Sequence, residues 1–490
     1  MIDMNRVKNW KVAFDMLDEQ NGPRTLIKYM KGDEVIEVTA GEFFKDVRKA
    51  ASGLQRHQLN GKHIGVIGKN SYDWVVSFCA VLYTGGVAVL LNKDYTTEEI
   101  IDVIERTDVE VMLYDHALEG KMPWEQKISW VDMQSSDKAN VISLAKEKEL
   151  ETLCIENRAA ADDLALILFT SGTTGKSKAV MHTNGTLICN SFAPLLIQMP
   201  SMLLPMPFHH VIGYGAILFG MCAGTIICIG EEIGHIFKYL EKMRPTCTPV
   251  VPALMKMIAQ KLRRVNSVED LNWSLNMLMS GGAAFEKGEL EPFVEKGIMV
   301  RQNYAASESG GKGIEYTMSL DNLDTIGKAN IIVEAKLVDG ELVMRGPGFA
   351  TGYYKDEEAT KEAFRGGWYY TGDLCRQDEN GYYYLVGRKK NLIILSNGEN
   401  VSPEEIEAKL QIQKEVCEIL VGEERDFIKA EIFPNYPANV SEEEKLQVQE
   451  KIKEYVRAYN NGVPTYKQIK ILNFREEPFE KTAIGKIVRH

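Results

Sequence analysis

The 490-residue sequence has no Cys-x-x-Cys pair, no basic excess, and no apolar run long enough to cross a bilayer. Each absence excludes something. Its eight cysteines, Cys79, Cys154, Cys189, Cys222, Cys228, Cys247, Cys375 and Cys417, are scattered, mostly in apolar runs such as "TIICIG". That argues against a zinc ribbon or disulfide framework and reads as buried, reduced thiols. Lys and Arg number 57 against 69 Asp and Glu, a net charge of −12. Nucleic-acid phosphates need a basic footprint, so no nucleic-acid partner is expected. The longest apolar stretch, "AILFGMCAGTIICIG", is too short and too broken by glycine to span a membrane. The opening "MIDMNRVKNWKV" has no apolar signal core, so a cytoplasmic protein is expected.

What is present is an ordinary globular composition, 45% hydrophobic and 26% charged, in a chain long enough for two or three domains. "FFKDVRKAASGLQRHQ" has helical spacing, "HIGVIG" reads as a strand, "SYDWVVSFCAVLYTG" as a helix and "VAVLL" as another strand. That alternation predicts an α/β body of parallel, helix-covered sheets. "TIICIG" and "LNMLMSGG" are further strands, and "EAKLVDGELVMRG" carries an Asp-Gly hairpin signal. After "YYYLVGRKKNLIIL" a shorter pattern of helices and strands begins. The boundary is placed at Lys389–Lys390, giving a large domain over 1–389 and a small α+β domain over 390–490.

The segment "TSGTTGKSKAV", Thr170 to Val180, holds two glycines, five hydroxyl residues and two lysines. It follows the continuous apolar strand "LALILFT". Glycines let backbone N–H groups approach an anion, and hydroxyls and lysines add donors. It is not a Walker A loop, because Thr170 stands where the leading glycine would be.

This segment resembles the signature loop of the adenylate-forming superfamily, which comprises acyl-CoA synthetases, peptide-synthetase adenylation domains and firefly-type luciferases. Four further motifs follow in that superfamily's order: "VRQNYAASESG", "GGWYYTGDL", "GRKKNLIILSNGENVSPEEIE" and "KTAIGKIVR". The resemblance implies a large N-terminal body of βαβ-type sheets with a β-subdomain, and a small mobile C-terminal domain. It also implies site residues. Thr170, Ser171, Gly172, Thr173, Thr174, Gly175 and Lys178 would hold the ATP phosphates, with Thr173 also at Mg²⁺. Gly281, Gly282 and Ala283 of "LMSGGAAF" would lie beside the adenine. Tyr304 would flank it, among the nucleotide-binding residues Asn303, Ala305 and Ser307. Glu308 would help hold Mg²⁺, Asp373 would accept from the ribose hydroxyls, and Arg388 would reach the ribose or a phosphate. Lys390 occupies the hinge position and Lys486 that of the catalytic lysine. In "PMPFHHVIGYG", His210 stands at the superfamily's usual histidine position before the acyl pocket. Each has a plain alternative when read alone: an exposed acid for Glu308, a Gly-Asp turn for Asp373, solvated lysines for Lys389, Lys390 and Lys486, a core histidine for His210.

The reaction so implied joins a carboxylic acid to a thiol, using MgATP and passing through an acyl-adenylate. No carboxylate stands in "PFHH" to meet an amino group, so a fatty or aryl acid is expected rather than an amino acid. The apolar "VIGYGAILFG" and the small residues of "SGGKG" would leave room for its acyl part. Free coenzyme A is the expected acceptor, with a phosphopantetheinyl carrier protein as the alternative. A non-catalytic nucleotide-binding relative is a third reading. The sequence departs from the superfamily pattern at Ser177, Ala179, Ala305, Ser307 and Glu480, none of which removes a charged group.

Overall fold

The computed structural model describes residues 7–56, 61–134, 155, 157–170, 177–194, 198–281, 287–396, 399–437, 440–481 and 487–489. The chain forms two compact units, one of residues 1–335 with 344–370, the other of residues 336–343 with 371–490.

The first unit carries two mostly parallel sheets. In the seven-stranded sheet the order is Gly352–Tyr353, Lys178–Thr183, Leu164–Thr170, Val87–Leu91, His63–Ile67, Val111–Tyr114, Ser129–Asp132. The apolar run at Leu164–Thr170 is a buried strand, parallel to Val87–Leu91 on one side. On its other side Lys178–Thr183 returns antiparallel, with Thr170 opposite Lys178. The phosphate-loop-like segment therefore joins two neighbouring antiparallel strands, where a Walker A loop would lead into a helix. The nine-stranded sheet contains the parallel strands Met299–Tyr304, Met277–Gly281, Cys247–Val250, Ser201–Leu204, Ile226–Ile229 and Thr25–Lys31.

One core draws on both sheets. Ile64, Leu90 and Leu166 come from the first, Met202, Leu204 and Ile227 from the second. The helix Tyr72–Tyr83 is apolar all round because it is buried all round, from Trp74 to Tyr83, and Ser71 caps it through the Trp74 N–H. Just before this helix, Asn70 is buried and fully used. Its Nδ2 donates to the carbonyls of Met206 (2.9 Å) and Gly230 (3.0 Å), and its Oδ1 accepts from the Phe208 N–H (3.0 Å). One amide from the end of the seven-stranded sheet thus fixes two chain segments leaving the nine-stranded one.

Besides the antiparallel pairing of Asp373–Gln377 with Tyr383–Arg388, the second unit contains a three-stranded sheet, Val416–Glu424, Phe427–Pro434 and Ile469–Phe474. The helix Glu442–Asn461 makes the crossover between the last two, which are parallel. It starts in a capping box of Ser441 and Glu444. Ile406, Leu410, Val421, Ile432, Ile452 and Val456 form the core. The Asp-Gly hairpin is present, with Asp339 and Gly340 at φ 50 and 79, as a type I′ turn requires. Of the described cysteines, Cys79, Cys228, Cys247 and Cys375 are buried, while Cys417 is exposed against expectation. Among the described residues, no helix is long and apolar enough to cross a membrane.

Asn70→Ala removes one donor group and one acceptor and leaves three buried backbone groups unpaired. It is expected to cost about 2–4 kcal/mol, read as a fall in the denaturant midpoint at unchanged slope.

Candidate functional site

In the first unit the strand Met299–Tyr304 ends in a tight turn. Ser309 Oγ accepts from the Ala306 N–H (3.0 Å), and the Gly310 N–H donates to the Ser307 carbonyl (3.0 Å). Gly310 sits at φ 60, and a Cβ there would collide with the Asn190 amide. Both facts require glycine at this position. The Asn190 Nδ2 donates to the Gly348 carbonyl (2.7 Å). Small size at Gly310 therefore serves packing against Asn190, which corrects the expectation that it leaves room for an acyl group.

This turn presents Glu308, whose residue is only 8% exposed. Its carbonyl accepts from the Ala350 N–H (2.7 Å), and its Oε1 accepts from the Tyr353 hydroxyl (2.8 Å). Burial, then the Glu308 carboxylate, raise the Tyr353 hydroxyl well above the usual phenol value, so it stays a donor. Tyr353 lies on the short strand Gly352–Tyr353, opposite Val180. The Lys178 ammonium stands over its ring, 4.7 Å from the centroid. One buried ring thus connects the last lysine of the phosphate-loop-like segment with the turn carboxylate.

His182, fully buried, ties the same strand to the same turn. Its Nε2 is 2.8 Å from the Ser307 carbonyl, and its Nδ1 is 3.3 Å from the Thr186 hydroxyl. The Nε2–H tautomer donates to that carbonyl. Burial pushes the imidazole down to about 4, with the Ser307 contact opposing.

The other expected residues of this unit fall into place around the turn. Gly281 pairs with Asn303 across parallel strands, and Tyr304 pairs with Ile314. The Asn303 Nδ2 donates to the Gly311 carbonyl (3.0 Å), while its Oδ1 is buried with no hydrogen-bond partner. Ala305 and Ser307 belong to the turn itself. Ala179, one of the departures, is a buried strand residue opposite Phe169 and packs in the core with Ile167. The departing Ser177 has its carbonyl held by Arg106 Nη2 (2.6 Å). His210 caps the helix Val211–Ala223 by position, without a side-chain bond, and its ring lies 4.3 Å from that of His209. Burial lowers His210, and burial with its neighbour His210 lowers His209 to about 3. Both are therefore neutral near pH 7, able to donate or accept a hydrogen bond but not to carry charge. The Nε2 of His209 is buried and unpartnered. Ser171, Gly172, Thr173, Thr174, Gly175, Gly282, Ala283 and Lys486 lie outside the described residues.

In the second unit Asp373 and Arg388 face each other on paired strands, with Arg388 Nε 2.6 Å from Asp373 Oδ1. Asp373 is 4% exposed, and its N–H donates to Thr371 Oγ1 (3.0 Å). Beside them, Glu341 accepts from the Gly372 N–H (3.0 Å) and from Lys389 Nζ (2.9 Å). Lys390 follows in a 3₁₀ turn, Lys389–Asn391, and is exposed. The residues missed from sequence are Tyr353, His182, Glu341 and Asn70. Each acts through a partner distant in sequence, and none carries a local motif.

A family model described as AMP-binding enzyme matches residues 16–354, and one described as AMP-binding enzyme C-terminal domain matches residues 390–490. The chain is 30% identical over 376 residues to the 2-succinylbenzoate–CoA ligase of Bacillus cereus, covering 73% of this chain and 74% of that one. It is 29% identical over 364 residues to that of Oceanobacillus iheyensis, covering 71% and 72%. Among solved structures, O-succinylbenzoate coenzyme A synthetase from Bacillus subtilis in complex with AMP aligns with a TM-score of 0.80 at 24% identity, covering 98% of this chain and 97% of that one. ATP-bound MatB from Rhodopseudomonas palustris aligns with a TM-score of 0.80 at 21% identity, with coverage of 98% and 97%.

The His182 environment sets a pH dependence. Its folded-state value lies below the ordinary 6.5, so the unfolded chain binds more protons between 6.5 and about 4, and stability falls as pH falls through that window. The loss is about 1.4 kcal/mol per pH unit once well below 6.5. Denaturation midpoints at pH 7.5, 6 and 5 measure it. His182→Gln, which can still donate to the Ser307 carbonyl, should flatten the slope.

Proposed function

Because this chain belongs to the AMP-binding enzyme family, we propose that it is an AMP-forming acid–thiol ligase, converting a carboxylic acid to its coenzyme A thioester at the expense of MgATP. The observation that carries the reading is the Lys178–Tyr353–Glu308 arrangement, which sets a cation and a carboxylate on one buried ring at the end of the phosphate-loop-like segment. The curated relatives named as 2-succinylbenzoate–CoA ligases favour coenzyme A over a carrier protein as acceptor and an aromatic acid over a fatty one.

In the proposed first step an oxygen of the acid carboxylate attacks the α-phosphorus, the bond from that phosphorus to the bridging oxygen breaks, and pyrophosphate leaves with the electron pair. Lys178 and the hydroxyl-rich segment offset charge on the leaving phosphates. Glu308 suits Mg²⁺, which takes one or two protein carboxylates and completes its shell with phosphate oxygens and water. When bound, the ion neutralises phosphate charge. Tyr353 holds Glu308 Oε1, and Glu308 would hold the ion with its carboxylate. Neutral His210 would orient the acid by hydrogen bonding. Asp373 and Arg388 would serve the ribose and phosphate, Tyr304 and Gly281 the adenine. Lys486 would stabilise the charge between the attacking oxygen and the α-phosphate, and Lys390 would be the pivot of the domain starting there. In the second step the sulfur of coenzyme A attacks the acyl carbon, the bond to AMP breaks, and the thiol proton goes to solvent. An enzyme drawing on MgATP and free coenzyme A is proposed to work in the cytoplasm.

Carboxylate-dependent pyrophosphate exchange over a panel of acids tests the reading. Aromatic acids should support exchange, and Lys486→Ala should reduce it at least a hundredfold while ATP still binds. Silence with every acid would refute the reaction. Tyr353→Phe keeps the ring beneath Lys178 but removes the donor to Glu308. It should raise the Mg²⁺ concentration for half-maximal exchange about three- to tenfold and leave the maximum rate within a factor of a few.

A further inference from the structure

Asp373 and Arg388 stand opposite each other at the end of an irregular ladder. The register shifts between Leu374 and Cys375, beside Asp373, and such a bulge locally disrupts the pairing. On the other side of Asp373 lies Gly372 at φ 72, a conformation that favours glycine. The carboxylate read as the ribose acceptor thus sits between a bulge and the most pliable residue type. The ladder alone does not aim it.

Glu341, first residue of the strand Glu341–Arg345, supplies the missing constraint. It is 4% exposed. Its Oε1 accepts from the Gly372 N–H (3.0 Å) and its Oε2 from Lys389 Nζ (2.9 Å). Gly372 adjoins Asp373 in the chain, and Lys389 adjoins Arg388. One carboxylate therefore joins the neighbours of both facing side chains. Thr371 completes the frame. Its Oγ1 donates to the Leu342 carbonyl (2.8 Å) and accepts from the Asp373 N–H, and its carbonyl accepts from Arg388 Nη1 (3.3 Å).

A neutral acceptor would satisfy the Gly372 N–H with less desolvation than a buried carboxylate. The charge has a use here. Two acids and two cations meet at this strand end, and they sort into the pairs Asp373–Arg388 and Glu341–Lys389. With its ammonium engaged by Glu341, Lys389 does not compete with Arg388 for Asp373.

We propose that Glu341 is a positioning residue for the nucleotide: through Gly372 and Lys389 it fixes where Asp373 and Arg388 stand, and so sets how strictly a ribose bearing both hydroxyls is required. The assignment rests on the acid–thiol ligase reading and on Asp373 serving the ribose. Glu341 itself touches no ligand. A buried acceptor aimed at a hydroxyl rejects an analogue lacking it more strongly than size alone would. Releasing the aim of Asp373 therefore weakens binding and discrimination together. A merely structural defect lowers the amount of active protein and leaves the ratio between two nucleotides alone.

The test uses the full chain with MgATP and Mg-2′-deoxyATP, in pyrophosphate exchange with the best acid and in calorimetric binding without acid. The wild type should prefer ATP by about tenfold or more in kcat/KM. Glu341→Ala should raise KM for ATP about ten- to a hundredfold, leave kcat within a factor of a few, and remove most of the preference. Glu341→Gln keeps an acceptor for the Gly372 N–H but no charge for Lys389, and should fall between the two. A wild type that does not distinguish the nucleotides, or a Glu341→Ala variant with an unchanged ratio, overturns the assignment. Absence of exchange with any acid refutes the ligase reading instead, and the binding ratio still decides the role of Glu341. If Glu341→Ala does not fold, Lys389→Met alters the exposed partner of the same pair. It should lower the ratio about threefold, and an unchanged ratio would overturn the proposal.

Discussion

The arrangement of the first unit depends on one buried side chain amide. Asn70 satisfies two carbonyls and one N–H belonging to Met206, Gly230 and Phe208. A backbone group buried without a partner costs about 1–3 kcal/mol, so these chain ends cannot shift independently of the strand His63–Ile67 that precedes Asn70. The segment Met206–Phe208 leads directly into His209 and His210. The clamp therefore decides where the helix Val211–Ala223 starts.

A second level of organisation rests on the short strand Gly352–Tyr353. Its pairing with Lys178–Thr183 brings residues far apart in sequence to one place. Tyr353 reaches Glu308 from that strand, and His182 reaches Ser307 from its neighbour. The turn that carries Glu308 is thus held through the Glu308 carboxylate, through the Ser307 carbonyl and by Asn190 packing against Gly310. Such rigid placement would suit the electrostatic task proposed for Glu308, since an oriented charge needs no reorganisation when it acts.

How much of this was legible in sequence follows the range of the interactions. Strands such as Leu164–Thr170 and helices such as Tyr72–Tyr83 announce themselves through local periodicity, and the Asp339-Gly340 turn through its conformational demand for positive φ. Glu308, Asp373 and Arg388 were named from motif resemblance. That Asp373 and Arg388 face each other was not readable, because it depends on the register of two strands. Tyr353, His182 and Asn70 were invisible for the same reason. Their sequence neighbours say nothing about partners 45, 125 and 136 positions away. Ala179 shows the reverse case: a departure in a loop motif that the structure absorbs as an ordinary core residue.

The shared ring of Tyr353 has a thermodynamic consequence. Its face meets a cation and its hydroxyl meets an anion, so a ligand drawing on Lys178 and one drawing on Glu308 address the same rigid body. Whatever ordering the first imposes on that ring need not be supplied by the second, and linkage makes the benefit mutual. On the proposed function, nucleotide and metal would each strengthen the other's hold beyond their direct attraction, and the pair would enter more favourably as a complex than either would alone.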